Sequence, residues 1–420
     1  MQLNRVAEDL LAPGEFDKRV SWAVSRGVPQ WLWPHVEPTD WQNGLHSIER
    51  VAREILSTGK ANEPLEGPAD AIGVAAYTSG MGPLLGFWLA EGRLTAPSDI
   101  GELLARHYRH NSERMRRLVG HTVEVVQLLG EGGIPVTVLK GMDSALNCFP
   151  ALGARATSDI DLFVAPSDRL RTESILSGLG YSAEHKSTLP DEQFWRHRSS
   201  ALAPQSLAMV HKCDPWGIDL HTSTNRRYAL GSPVIRLDDL VSRVAVDPWR
   251  AHAHAQVLAP VPAALFLACH AGCDLSSMRM VRLVELVMLV RRTVRGEAFS
   301  WREFAEIGGV SGTLPHAYAA LSLATSLVPD AIPLDVLERA RCKVPPAALR
   351  VLARLTPATA QVVFRCSAQE RYMWTPSLGG RIRQIAHDLF PTEMPASKWL
   401  PTFKRRLLRV RHGTFSLLSH

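Results

Sequence analysis

A chain of 420 residues outgrows a single hydrophobic core, so two or three domains are expected. With 46% hydrophobic and 21% charged residues the composition excludes a disordered or fibrous chain, and six cysteines at this length exclude a disulfide-dense scaffold. The net charge of +6, carried mostly by arginine, suits a protein that handles phosphates without selecting one class of partner.

The first residues, Met1 to Asp9, lack the apolar run of a signal peptide, and a cytoplasmic protein is expected. Residues 1 to about 130 read as helical. Leu45, Ile48, Val51, Ala52 and Ile55 recur at helical spacing, followed by Leu103, Leu104 and Tyr108, and then by Met115, Leu118, Val123, Val126 and Leu128. Residues 71–90 carry no charge, yet Gly73, Gly80, Gly82, Pro83 and Gly86 interrupt them. Pro83 and its glycines predict a break between two helices, not a membrane span. Gly130, Gly132 and Gly133 stop the last helix.

The pattern then changes. Residues 134–139 are short, β-branched and bounded by glycine, which predicts a strand. Residues 141–149 have helical character and close on Pro150, and residues 159–164 form a second predicted strand. Pro166 and Ser167 open a helix running to about Gly178. Residues 206–212 and 217–222 are predicted as a hairpin about Asp214-Pro215-Trp216-Gly217, where proline presets φ and glycine tolerates any φ. From about residue 255 the chain reads as helical again, cut by Pro315, Pro329, Pro333, Pro345 and Pro346. The expected fold class is α+β: a helical region over 1–115, a small mixed-sheet core over 116–240 and a helical domain over 250–420.

Side chains alternate along a strand, so Asp159 and Asp161 share one face while Ile160, Leu162 and Val164 take the other. Two carboxylates side by side repel unless a cation neutralises them. Mg2+ accepts one or two carboxylates, completed by water and substrate phosphates. Asp-x-Asp is a common tripeptide, and its meaning rests on three neighbours. Asp219, in Ile218-Asp-Leu-His221, offers a third carboxylate from another strand. Lys140-Gly141 stands where a strand enters a helix, a place where backbone N–H groups hold phosphate. Arg155 offers a planar donor fork for phosphate oxygens. Three acids for metal and two cations for phosphate suit phosphoryl transfer.

Four runs, Gly133-Ile-Pro-Val-Thr-Val-Leu-Lys-Gly141, Phe149-Pro-Ala-Leu-Gly-Ala-Arg155, Ser158-Asp-Ile-Asp-Leu-Phe-Val164 and Ile218-Asp-Leu-His221, carry a resemblance. In this order they resemble an uncharacterised bacterial nucleotidyltransferase family, a branch of the DNA polymerase β-like superfamily. The resemblance extends through His270 and Arg282-Leu-Val-Glu285 towards Leu389-Phe390-Pro391. It implies a polymerase β-like core and transfer of a nucleoside monophosphate from an NTP to a hydroxyl or phosphate, with Mg2+ or Mn2+. Asp159, Asp161 and Asp219 are then the catalytic and metal-binding candidates, with Asp219 helping to deprotonate the acceptor. Lys140, Gly141, Arg155 and Ser158 are the nucleotide-binding candidates. Two positions depart from the pattern: Met142 replaces the serine of the superfamily's Gly-Ser turn, leaving phosphate contact to Lys140, and Glu285 stands where relatives have aspartate.

The expected partners are an NTP and a small-molecule, peptide or protein acceptor in preference to nucleic acid, with no membrane. The alternative is a non-catalytic nucleotide-binding or interaction protein that keeps the fold, and the missing serine speaks for it. His221 and His270 read as hydrogen-bonded structural histidines, and the cysteines of Cys269-His270-Ala-Gly-Cys273 as buried core in place of a zinc site. The basic stretch Lys404 to Arg411 reads as the solvated face of a helix.

Overall fold

The computed structural model describes residues 10–11, 36–184, 191–201, 205–206, 216–226, 234–242, 246–272, 275, 278–295, 299–360, 373–375 and 377–389. Val136, Val138, Ile160, Leu162, Ile218 and Leu220 are alternate residues of three short runs, and all six are buried in one apolar cluster. Burying them on one side sets the three runs next to one another in a sheet. Its seven strands are β1 (Val136–Leu139), β2 (Asp159–Phe163), β3 (Tyr181–Glu184), β4 (Glu192–His197), β5 (Gly217–His221), β6 (Val246–Pro248) and β7 (Ala255–Leu258). The spatial order is β3-β4-β5-β2-β1-β7-β6. β2 runs parallel to β5 and antiparallel to β1, so the sheet is mixed and the fold is α+β.

Before the sheet come helices α1 (Pro38–Thr58), α2 (Ala69–Thr78), α3 (Gly82–Ala90) and α4 (Ser98–Glu131). The uncharged segment at 71–90 is two helices broken before Pro83, as its sequence predicts. Its glycines serve close packing. A Cβ on Gly86 would lie 2.1 Å from the Leu104 carbonyl oxygen, so only glycine lets α3 approach α4 this closely. No described helix is long and apolar enough to cross a membrane.

Helix α5 (Lys140–Asn147) follows β1, and α6 (Arg169–Gly178) follows β2. After the sheet come α7 (Pro260–Gly272), α8 (Met280–Arg295), α9 (Trp301–Val310) and α10 (Leu314–Leu327), with shorter helices beyond. Leu45, Ile48, Leu84 and Trp88 from the first helices join Leu265, Val284, Phe304 and Leu321 from the later ones in a single apolar cluster. Each such side chain, fully buried, contributes about 1.5–3 kcal/mol. Ala358 N–H donates to Glu49 Oε2 at 3.0 Å across the same contact.

The sheet therefore has two different faces. One packs on the second half of α4 through Met115, Leu118, Val125, Val126 and Leu129. The other turns Leu139 and Phe163 toward the helical cluster, beside α7 and α8. Asp161 and Asp219 alternate out of the apolar cluster onto that second face.

Two expectations are corrected here. The antiparallel neighbour of β5 is β4, with Trp195 opposite Ile218, and the other edge of β5 is taken by β2. Both edges of residues 217–221 are thus occupied, and the expected hairpin with 206–212 has no edge to pair on. Gln205–Ser206 pairs with Leu10–Leu11, while residues 207–212 and the turn residues Asp214 and Pro215 lie outside the described residues. Residues 255–258 are a strand, not the start of a helix, which begins at Pro260. Cys273, Phe390, Pro391 and the basic stretch 404–411 also lie outside the described residues.

Candidate active site

The acids converge because of the strand register. Asp161 and Asp219 are partners on the parallel pair β2 and β5, and Leu139 faces Asp161 from β1. The next residue, Lys140, leaves β1 with φ 47° and opens α5. It is the one described non-glycine residue with positive φ, a conformation costing about 1–2 kcal/mol in an L-residue. Neighbouring strands and one backbone turn thereby bring a lysine and two aspartates to the same point.

Asp161 is buried, and Lys140 Nζ lies 2.6 Å from its Oδ1. His221, also buried, places Nε2 3.1 Å from the same oxygen. Lys140 Nζ donates further to His270 Nε2 at 3.1 Å. An ammonium only donates, so His270 carries its proton on Nδ1. Burial first, then the charges of Lys140 and Arg282, push the His270 pKa down and keep the ring neutral. Burial alone would raise the pKa of Asp161, but Lys140 and His221 outweigh it and the carboxyl is held well below the usual range.

Asp219 is different. Among the described residues no hydrogen bond or ion pair satisfies its carboxylate. Burial raises its pKa, and the charges of Asp161, Asp159 and Glu192 raise it further. An oxygen of Asp161, an oxygen of Asp219 and a ring nitrogen of His221 lie within 4.8 Å of one another, an arrangement that can hold a metal ion. His221 Nε2–H donates to Asp161 as the site stands. Ligation would move that proton to Nδ1, which is buried, lacks a hydrogen-bond partner among the described residues and sits 4.0 Å from Glu192 Oε2. The donor set fits a divalent cation. Two carboxylates suit Mg2+ or Mn2+, and the imidazole inclines it to the latter.

Helix α4 holds the loop beneath. Its buried Asn111 donates to the Gly153 and Arg155 carbonyls at 2.7 and 3.1 Å, and Arg114 donates to the Thr157 carbonyl. The loop carries Arg155 to Glu285 of α8, Nη2 to Oε2 2.9 Å, and over the Phe149 ring. Arg155 Nε and Glu285 Oε1 are buried and have no hydrogen-bond partner among the described residues. Lys140, Gly141, Arg155, Thr157, Asp159, Asp161 and Glu285 line one cleft with Leu267, His270 and Arg282. Its volume is about 60 Å³, room for a few waters.

The structure gathers most of the sequence candidates, with three qualifications. Asp159 lines the cleft but is not one of the three converging groups; its Oδ1 accepts from Ser158 Oγ at 3.3 Å and Thr157 Oγ1 at 3.5 Å. Ser158 itself is exposed beside the cleft. Gly141 is required by a neighbour: a Cβ there would stand 2.5 Å from Thr157 Oγ1. Met142, at the place of the missing serine, is buried in the sheet core. His221 meets Asp161 directly and His270 meets Lys140, contacts that their sequence reading does not imply. His221 was traceable, because alternation puts it on the face of Asp219. His270 and Glu285 are each 130 residues from the partner they meet.

A mixed sheet with acids on two parallel neighbours, and a lysine-glycine turn opening the adjacent helix, defines the class as a nucleotidyltransferase core flanked by helices. A family described as "Uncharacterised nucleotidyltransferase" matches residues 74–355, more than half of the chain, and the chain belongs to that family. Neither the curated proteins nor the solved structures gave a match.

Proposed function

We propose that this protein moves a nucleoside monophosphate from an NTP to a hydroxyl or phosphate of a small-molecule, peptide or protein acceptor. The observation that carries the reading is the convergence of Asp161, Asp219 and His221 within 4.8 Å, with Asp161 also lining the cleft that holds Lys140. Asp161 and Asp219, with His221, would hold a divalent ion. Bound there, Mg2+ or Mn2+ supplies charge neutralisation at the transferring phosphate and acidifies the acceptor oxygen.

The remaining work falls to the chain's own groups. Lys140 has two of its three N–H directions spent on Asp161 and His270, which leaves the third for a phosphate oxygen. The N-terminus of α5 adds backbone N–H groups and a positive dipole end. Asp219, unpaired among the described residues and with a raised pKa, is placed to take the acceptor proton. Asp159 completes the negative rim that the phosphates must meet through a cation. Arg155 is already paired with Glu285, and it reaches a phosphate only if that pair opens.

The test is transfer of label from each α-³²P-NTP, with Mg2+ or Mn2+, to pools of small molecules, peptides and proteins. Metal-dependent labelling by the wild type that disappears in Asp161→Asn supports the reading. Nucleotide binding with no labelling of any pool favours the non-catalytic alternative.

A further inference from the structure

Phosphoryl-transfer sites of polymerases and nucleases commonly hold two metal ions, which bracket the attacking and leaving oxygens. Here the acids do not offer two equivalent places. Among the described residues one trio of donors converges, Asp161 with Asp219 and His221, and Asp159 is turned to two hydroxyls instead. Asp161 is already held by an ammonium, on the same oxygen that His221 reaches. Lys140 Nζ stands 2.6 Å from Asp161 Oδ1, closer than an ordinary charge-assisted hydrogen bond requires.

That ammonium is built in. Its backbone holds φ 47°, a conformation that glycine takes freely and lysine does not, yet lysine is the residue there. Its side chain is 14% exposed and its second acceptor, His270 Nε2, is supplied from α7, 130 residues away. A surface lysine that only drifts over a phosphate needs neither the strained turn nor a dedicated imidazole. A cation with a fixed seat needs both. Three carboxylates, Asp159, Asp161 and Asp219, are then balanced by one dication and one ammonium.

We propose that Lys140 is a resident cation in the place of a second metal ion, so that the site takes one divalent ion per chain. This rests on the nucleotidyltransferase reading of the cleft. It makes Lys140 more than a phosphate contact, because its charge belongs to the site before any nucleotide arrives.

The test is to count Mn2+ bound to the purified full chain by the loss of free-ion EPR signal, with Mn2+ alone as the probe. Glycine and asparagine both tolerate positive φ, so Lys140→Gly and Lys140→Asn remove the ammonium without adding backbone strain. The expected result is one tight ion in the wild type and two in both variants, with binding lost in the Asp161→Asn/Asp219→Asn double variant. Two tight ions in the wild type overturn the inference and leave the transferase reading standing. One ion in the variants does the same. No tight ion in any form overturns both, since the acids would then hold no metal.

Discussion

Asp161 and Asp219 face each other across adjacent parallel strands, yet their pKa values move in opposite directions. Asp161 has Lys140 and His221, while Asp219 has burial and three negative neighbours. The pair is thus one satisfied carboxylate and one that is kept at a cost. A half-buried carboxylate with no partner among the described residues destabilises the fold and persists where function needs it.

The cost is measurable. Asp219→Asn removes the repulsion and keeps the shape, and is expected to stabilise the metal-free protein at neutral pH by about 1–3 kcal/mol, the scale of a desolvated polar group left without a partner. Denaturant midpoints of the two proteins in EDTA check this. A midpoint for Asp219→Asn at or below that of the wild type would contradict it.

The same shifts fix a pH dependence. The Asp219 pKa is raised in the folded state, so its contribution is fully present below the ordinary carboxylate range and is lost as pH rises through the folded value. Asp161 is depressed, so its contribution is present above that range and is lost only in strong acid. Between mild acid and neutrality the metal-free wild type should lose stability relative to Asp219→Asn, and the gap should close on acidification. Thermal unfolding of both proteins across that range reads the gap directly.

A cation should reverse the balance. Mn2+ that binds only the folded state stabilises by mass action, about 2.7 kcal/mol at a hundred times the dissociation constant. Wild-type Tm should therefore rise with Mn2+, and that of Asp219→Asn should rise far less. Equal rises would place the ion elsewhere.

Arg155 and Glu285 make a buried ion pair between the loop under the cleft and α8. Removing one member of such a pair strands the other, at about 3–5 kcal/mol. Glu285→Ala is expected to lose stability on that scale, and Arg155→Met with Glu285→Leu in one chain much less. Urea unfolding of the single and double variants separates a stranded charge from lost packing.

Gly141 shows how a motif glycine can answer to a neighbour as well as to a ligand. Gly141→Ala drives a Cβ toward Thr157 Oγ1, and overpacking of this kind costs about 1–3 kcal/mol. Adding Thr157→Ala should recover most of the loss. No recovery would mean that the glycine is needed for another reason.

Much of the fold near the site is legible in the sequence, because alternation and turn residues are local. Asp159-Ile-Asp161, Ile218-Asp-Leu-His221 and the break before Pro83 all declare themselves that way. β4 does not, since in Glu192–His197 only Trp195 is buried and charged residues bracket it. β6 and β7 are three- and four-residue strands at the sheet's edge, one ending in Pro248, and leave too short a pattern to read. What decides the site chemistry is non-local. Asp161 meets Lys140 and His221 through strand register, and Lys140 meets His270 through the docking of α7 on the sheet face. No spacing in the sequence records those contacts, so Asp159 looks like the equal of Asp161 until the strands are paired.

The most direct measurement follows pyrophosphate release and acceptor mass together, with NTP, Mn2+ and an acceptor pool, for wild type and Asp219→Asn. The expected result is that the wild type adds one nucleoside monophosphate to the acceptor for each pyrophosphate released, while Asp219→Asn falls at least about a hundredfold, the scale of a lost acid–base group. Equal rates in the two proteins, or pyrophosphate release without any adduct, would contradict the transferase assignment of this site.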